Sequence, residues 1–130
     1  MALKLALTVA ALMLATIGLS IADIPNLVGN WTGSYEGYDN KVGYVNGTGT
    51  LTLVISEQKG RLFTGNLSEL GQETGRISGV IALDNETFYM AEYNMGYDVG
   101  TILSNDTIEL IYLEDGEMGG AVIDEFNRVQ

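Results

Sequence analysis

Hydrophobic and polar residues alternate over short stretches from residue 29 onwards, and glycine, asparagine and aspartate separate these stretches. Such alternation is typical of β-strands, because successive side chains of a strand point to opposite faces of the sheet. No stretch in this part of the chain shows a convincing helical period. The pattern predicts eight strands, over residues 31–38, 50–56, 61–67, 76–83, 87–93, 97–103, 107–113 and 121–129.

Most of the predicted turns are short, so consecutive strands are expected to pair as an antiparallel meander. Residues 39–49, rich in Gly and Asn, are predicted as the longest loop, and a polar stretch around Gly71 connects the third strand to the fourth. A meander leaves two edge strands with unpaired backbone groups, and closure into a barrel removes both edges. We therefore predict an all-β fold, a single eight-stranded antiparallel up-and-down barrel. A β-sandwich of two four-stranded sheets is the alternative.

The same alternation predicts which side chains face the barrel interior. Isolated glycines at 65, 79 and 100 fit the bends of strongly curved strands. The predicted interior set is mostly aliphatic: Leu51, Leu53, Leu67, Ile77, Gly79, Ile81, Phe88, Met90, Val99, Leu103, Ile108, Leu110, Tyr112 and Ile123.

The first 22 residues differ in composition from the rest of the chain. Their only charged residue, Lys4, precedes an uncharged, mostly apolar run of 18 residues. Ser20 and Ala22 place small residues where a signal peptidase needs them. We therefore predict a signal peptide (1–22), an N-terminal signal helix, followed by a secreted or cell-surface barrel domain (23–130). An uncleaved membrane anchor is the alternative, because the apolar run is just long enough to cross a bilayer.

The charged and reactive residues exclude several classes of function. The chain has no Cys and no His, which removes disulfides, thiolate metal sites, cysteine nucleophiles and histidine bases. Without the leader, 108 residues carry five basic and 17 acidic side chains, a net charge of −12 that repels nucleic acid. Asp98, Glu109 and Glu125 are expected on outward strand positions, and the other acids mainly in turns. We therefore predict no enzymatic activity, no cofactor and no metal site; the acidic loop 114–117 lacks the alternating spacing of an EF-hand.

Seven tyrosines are many for a chain of this length. Tyr35, Tyr38 and Tyr44 flank the loop after the first strand, and Tyr93 and Tyr97 flank a later turn. If both segments lie at one end of the barrel, these side chains form an aromatic rim with polar edges. These five tyrosines are our candidate ligand-binding residues, and the candidate ligand is a small amphipathic molecule or a carbohydrate.

The segment Gly29-Asn30-Trp31 resembles the Gly-x-Trp motif in the first strand of calycins, the superfamily of lipocalins, fatty-acid-binding proteins and avidins. Arg128 is similar to the basic residue that covers this tryptophan in lipocalins. The resemblance implies an up-and-down barrel whose open end binds a small hydrophobic ligand, with Trp31 and Arg128 as structural residues. The Gly-x-Trp-x-Gly first strand also resembles small, secreted, uncharacterised archaeal proteins, a family that implies no activity.

The glycosylation motif Asn-x-Ser/Thr occurs five times, more often than the composition predicts. Asn85 and Asn105 lie in predicted hairpin turns, Asn46 in the predicted loop, and Asn66 on an exposed strand face. Asn30, next to the tryptophan, is the least suited to modification. We expect surface glycosylation at these positions.

These observations lead to three hypotheses of function. The first is a secreted or cell-surface, non-catalytic barrel that binds a small ligand or a surface partner. The alternative is a structural or protective, glycosylated envelope protein without a ligand. The third is an enzyme that uses carboxylates or tyrosines in the barrel mouth. A solidly packed interior favours the second, whereas an open cavity holding acids of raised pKa favours the third.

The predicted leader and glycans both change the mass of the native protein. We expect the intact mass of the natively secreted protein to equal that of residues 23–130 plus sugar. Enzymatic deglycosylation is expected to reduce it to the mass of the bare chain. A native mass already equal to the bare chain contradicts glycosylation, and a mass that includes residues 1–22 contradicts cleavage.

Overall fold

A computed structural model describes residues 23–130, and within this range every regular element is a β-strand. Each strand pairs antiparallel with the next, and the last pairs with the first, so the sheet is a closed barrel. The eight strands are β1 (Gly29–Asp39), β2 (Gly43–Lys59), β3 (Leu62–Glu69), β4 (Gln72–Ile81), β5 (Thr87–Glu92), β6 (Tyr97–Ile102), β7 (Thr107–Glu114) and β8 (Gly120–Arg128). The predicted barrel is confirmed and the sandwich alternative is wrong.

The predicted signal peptide and its helix lie in residues 1–22, outside the described residues. In residues 23–130, no helix is long and apolar enough to cross a membrane.

Closure between β1 and β8 satisfies the backbone groups at both edges of the meander. The pairing runs from Trp31 opposite Arg128 to Asp39 opposite Gly120. A chain without cysteine has no disulfides to compensate for an open edge. The backbone ladder therefore supplies the closure that the fold requires, without covalent cross-links.

Strand β2 is longer than predicted, because residues 43–47 pair with β1 where we expected a loop. A tight turn allows this pairing: the Asp39 carboxylate accepts hydrogen bonds from the backbone N–H groups of Lys41 (2.7 Å) and Val42 (2.8 Å). Gly43 then adopts a φ of 86°, which suits glycine. The turn chemistry sets the register despite the poor strand propensity of this segment.

One end of the barrel, the closed end, is plugged by a tryptophan. Trp31 is fully buried, and the Arg128 guanidinium lies 4.1 Å from the centre of its ring system. Arg128 also donates hydrogen bonds to the backbone oxygens of Val28 (2.7 Å) and Asn26 (2.8 Å). The indole N–H donates to the Leu27 backbone oxygen (3.0 Å). This single basic side chain therefore ties the C-terminal strand to the segment that enters β1.

The entering segment, residues 25–28, covers the closed end as a cap. Leu27 is 1 % exposed, and its backbone N–H donates to the side chain of Gln58 at 2.8 Å. The amide nitrogen of Gln58 donates in turn to the Pro25 backbone oxygen at 2.8 Å. Both ends of the described chain thus lie at the closed end, together with the turns after β2, β4 and β6.

Aromatic rings in the half of the interior next to the closed end lie over glycines of the neighbouring strands. Phe63 is the cross-strand neighbour of Gly79, and Phe88 that of Gly100. A Cβ atom on either glycine would overlap the facing ring, while the two rings meet edge-on at 5.8 Å. These glycines therefore make room for core aromatics, a requirement beyond strand curvature.

The buried apolar residues form one continuous core. They are Leu27, Trp31, Leu51, Leu53, Ile55, Phe63, Leu67, Ile77, Ile81, Phe88, Met90, Ile108, Leu110 and Phe126.

The predicted interior set is wrong at three positions. Val99, Leu103 and Ile123 are 37 %, 57 % and 48 % exposed, while Asp98 and Asp124 occupy the inward positions of β6 and β8. The alternation predicts the wrong face here because outward side chains of β5 to β8 are also apolar. The outward side chains of Tyr89, Val99, Ile111 and Ile123 are consecutive cross-strand neighbours from β5 to β8.

Replacing Gly79 by alanine is expected to lower the free energy of unfolding by about 2 kcal/mol, because the new methyl group overlaps the Phe63 ring. Gly75→Ala is the matched control on the same strand, since its Cβ would meet nothing closer than 3.4 Å. Urea denaturation measures both variants. Equal stability of the two variants would contradict the packing of Phe63 over Gly79.

Candidate functional site

At the other end, the open end, the barrel interior is not filled. A cavity of about 200 Å³ opens there to solvent, and we call it the cup. It is lined by Tyr35, Leu51, Leu67, Glu69, Thr74, Glu92, Met95, Tyr112, Val122 and Asp124. These residues come from every strand except β6 and from the turn between β5 and β6, so nearly the whole circumference of the barrel builds the cup.

The floor of the cup is apolar. Leu51 and Leu67 belong both to the core and to the cup lining, and each is 8 % exposed. The half-buried side chain of Val122 and the exposed side chain of Met95 continue the apolar surface towards the mouth. An apolar group of a ligand therefore finds a preformed surface at the bottom of the cup.

Three acidic side chains are buried at the level of the cup, and we call them the carboxyl cluster. Glu92 on β5, Asp98 on β6 and Asp124 on β8 are 8 %, 1 % and 6 % exposed. Each lies two residues from an interior position of its own strand, at Met90, Gly100 and Phe126 respectively. Strand alternation therefore holds all three carboxyls inside the barrel. The expectation that Asp98 points outward was wrong.

Among residues 23–130, the carboxyl cluster has no buried cation to balance it. Both carboxyl oxygens of Asp98 are buried without a hydrogen-bond partner when the group is ionised. The Glu92 carboxyl lies within hydrogen-bond distance of Asp98. Since an ionised carboxylate only accepts hydrogen bonds, the two groups can form one only if either of them carries a proton. A shared proton therefore holds the Glu92–Asp98 pair together.

Burial is the main cause of the altered acidity in the cluster. It raises the pKa of Asp98 to about 9, and the neighbouring Glu92 carboxyl acts in the same direction. Burial, with the charges of Glu92 and Glu69, raises the pKa of Asp124 to about 7. Burial also raises the pKa of Glu92. Asp98 is consequently protonated at neutral pH, and Asp124 is close to half-protonated.

Two phenols stand beside these acids. The Tyr112 hydroxyl donates to the Glu114 carboxylate at 2.8 Å and accepts a hydrogen bond from the Gly96 backbone N–H at 3.1 Å. Burial and the bond to Glu114 raise the pKa of Tyr112, and burial and Glu69 raise the pKa of Tyr35. Both phenols therefore remain neutral, with their hydroxyl hydrogens donated to Glu114 and Glu69.

The candidate tyrosines do not all lie in the cup. The two segments that carry them are at the open end, but only Tyr35 lines the cavity. Tyr38, Tyr44, Tyr93 and Tyr97 are 55–70 % exposed, and Tyr38 stacks edge-on with Tyr44 at 5.7 Å on the outer wall. Ligand binding at these five positions stays a prediction. Tyr112, which we placed in the interior set, is the second phenol of the cup.

The five glycosylation motifs lie outside the cup. Asn30 and Asn66 are exposed on the outer faces of β1 and β3. Asn46 is also exposed but sits within β2, paired with Glu36, so its placement in a loop was wrong. Asn85 and Asn105 lie in turns at the closed end. Glycosylation at the five positions stays a prediction.

Within residues 23–130, no group of three or more acidic residues is arranged to hold a metal ion.

The sequence pattern did not predict the carboxyl cluster, although it contained a signal for the inward position of one member. Phe88 and Met90 were predicted inward, and continuing their alternation by one step places Glu92 inside. Asp98 and Asp124 carried no such signal, because their strands have apolar residues on both faces.

The raised pKa values predict that stability falls as pH rises. Between about pH 4, where unfolded carboxyls titrate, and the folded values near 7 and 9, the folded chain binds more protons than the unfolded chain. Each group then removes up to about 1.4 kcal/mol of unfolding free energy per pH unit. We expect Asp98→Asn to flatten this slope and to stabilise the protein at about pH 8.

Urea denaturation at several pH values measures the effect. Glu109→Gln, which removes a carboxyl from the outward face of β7, is the control and should keep the slope of the original protein. A slope that is unchanged by Asp98→Asn would contradict the buried, protonated state of Asp98.

No protein-family model and no curated protein matches the chain. Among solved structures, a de novo designed fluorescence-activating β-barrel is 19 % identical with a TM-score of 0.52, covering 79 % of this chain and 94 % of its own. The S-type phycobiliprotein lyase from Guillardia theta is 10 % identical with a TM-score of 0.38, covering 80 % of this chain and 89 % of its own. The likeness to the designed barrel supports the eight-stranded barrel fold; membership of the calycin superfamily stays a prediction.

Proposed function

We propose that the protein is a secreted or cell-surface barrel without catalytic activity that binds a small amphipathic ligand in the cup. One observation carries this proposal: the interior is packed and plugged at the closed end, yet left open over an apolar floor at the other. Packed interiors rarely retain such a cavity without a use for it.

The size and lining of the cup limit the ligand. Its volume of about 200 Å³ is below the range of pockets that hold drug-sized molecules, so the ligand is a single ring or a short chain. Leu51 and Leu67 would contact its apolar part, and the hydroxyls and carboxyls of the wall its polar part. A carbohydrate is the weaker choice, because the apolar floor would meet its hydroxyl groups.

The carboxyl cluster also raises the enzyme hypothesis, as an open cavity with acids of raised pKa was expected to do. Catalytic carboxyl pairs in glycosidases, for example, stand apart to admit the bond that they cleave. Glu92 and Asp98 instead lie within hydrogen-bond reach of each other, and Asp98 is 1 % exposed. This geometry leaves no room for a substrate bond between them, which favours binding over catalysis.

The location is proposed from the leader and the glycosylation motifs. The positions of Asn30, Asn46 and Asn66 on one outer wall are compatible with sugars that leave the cup open. The alternative of a ligand-free envelope protein called for a solid interior, and the cup argues against it.

A small probe ligand and a variant with a larger side chain in the cup test ligand binding. With benzyl alcohol as the probe, we expect a dissociation constant on the order of 1 mM, with amide shifts in nuclear magnetic resonance spectra confined to the cup. Val122→Phe places a ring in the cup and should weaken binding by at least about tenfold. Ile123→Phe, on the outward face of the same strand, should leave binding unchanged.

The comparison requires that both variants unfold on heating as cooperatively as the original protein. Unchanged binding by a folded Val122→Phe variant would show that the cup is not the binding site. Shifts centred on the outer wall would lead to the same conclusion.

A further inference from the structure

The titratable groups that line the cup are all acidic or phenolic. Five of the eight strands supply one each. They are Tyr35 on β1, Glu69 on β3, Glu92 on β5, Tyr112 on β7 and Asp124 on β8.

The basic side chains of residues 23–130 lie elsewhere. Arg128 covers the plug, and Arg61 donates to the Ile81 backbone oxygen at the same end. Lys59 pairs with a glutamate of its own strand, Arg76 lies on the outer face of β4, and Lys41 is in an exposed turn. No cation within the described chain reaches the carboxyl cluster.

We propose that the cup binds a small organic cation, with its ammonium group among the carboxyls of Glu69, Glu92 and Asp124 and its apolar body on Leu51 and Leu67. This inference rests on the proposed function and names its ligand class. The buried carboxyl of Asp124 carries it: this side chain lines the cavity, is 6 % exposed, and has the carboxyls of Glu92 and Glu69 as neighbours, with no hydrogen-bond donor or cation beside it in the described chain. An ammonium group brings three N–H donors and the missing positive charge.

The lining favours an organic cation over a metal ion. A hard metal ion needs several oxygen ligands at short, regular distances, and no such group of acids exists in residues 23–130. The floor of the cup is instead hydrocarbon, which offers a hydrated ion no ligands. The carboxyls of Glu69 and Glu114 nearer the mouth add negative potential along the path of an entering cation.

Binding of the cation displaces protons from the carboxyl cluster. Without ligand, the cluster retains protons because no other positive charge is available, as the shifts of Asp98 and Asp124 indicate. An incoming cation stabilises the ionised carboxyls and releases these protons. Affinity for the cation therefore rises with pH from about 5 to about 8, a range in which an alkylammonium group keeps its charge.

Three probes of similar shape separate the contribution of charge: benzylamine, benzyl alcohol and benzoate. At about pH 8, isothermal titration calorimetry of the whole protein is expected to show benzylamine at least about tenfold tighter than the alcohol, and no binding of benzoate. Benzylamine affinity should fall about tenfold or more at pH 5, while that of the alcohol stays within about twofold. Titrations in two buffers of different ionisation enthalpy should show proton release on benzylamine binding.

Matched variants locate the charge effect. Asp124→Asn should weaken benzylamine binding by about tenfold and reduce proton release, whereas Glu125→Gln, on the outward face of the same strand, should change neither. Glu92→Gln, which replaces a second carboxyl of the cup lining, is expected to weaken benzylamine binding to a similar extent. Loss of benzylamine binding in Glu125→Gln would overturn the assignment.

The outcomes separate this inference from the proposed function. If the alcohol binds in the cup as tightly as the amine at every pH, ligand binding stands and the cation proposal is overturned. Binding of calcium with no binding of benzylamine likewise overturns it. If none of the three probes shifts a cup resonance, the proposed function fails with it.

Discussion

The pairing of β1 with β8 is the constraint on which the rest of the molecule depends. It removes both edges of the meander, and its register sets Trp31 opposite Arg128 at the closed end. A slip of one residue would turn every inward side chain of one strand outward, so closure in this register also decides that Asp124 lies inside. The plug and the inward position of Asp124 are therefore consequences of one alignment.

The carboxyl cluster works against the stability that closure provides. Two of its members have pKa values near 7 and 9, which means that the fold favours their neutral forms over their charged forms. Hydrophobic residues at these positions would extend the core towards the open end and reduce the cup. The barrel keeps acids there instead, a local conflict of the kind expected at functional sites.

The fold was largely predictable from the sequence, since strand alternation and turn residues are local signals. The missing part of β2 was not, because the turn at Asp39 outweighs the low strand propensity of a Gly- and Asn-rich segment. The interior of β6 and β8 was not predictable either. Val99 and Ile123 are apolar but outward, so periodicity alone gave the wrong phase. Only the pairing of neighbouring strands places Asp98 and Asp124 inside the barrel.

Both ends of the described chain leave the barrel at the closed end, where residues 25–28 and Arg128 are bound together. Any tether joined to either terminus, a membrane-inserted leader or an engineered fusion alike, holds the barrel by its plug. The mouth then faces away from the attachment point and stays accessible. Immobilised through its N-terminus, the protein would present every cup in the same direction, towards the surrounding solution.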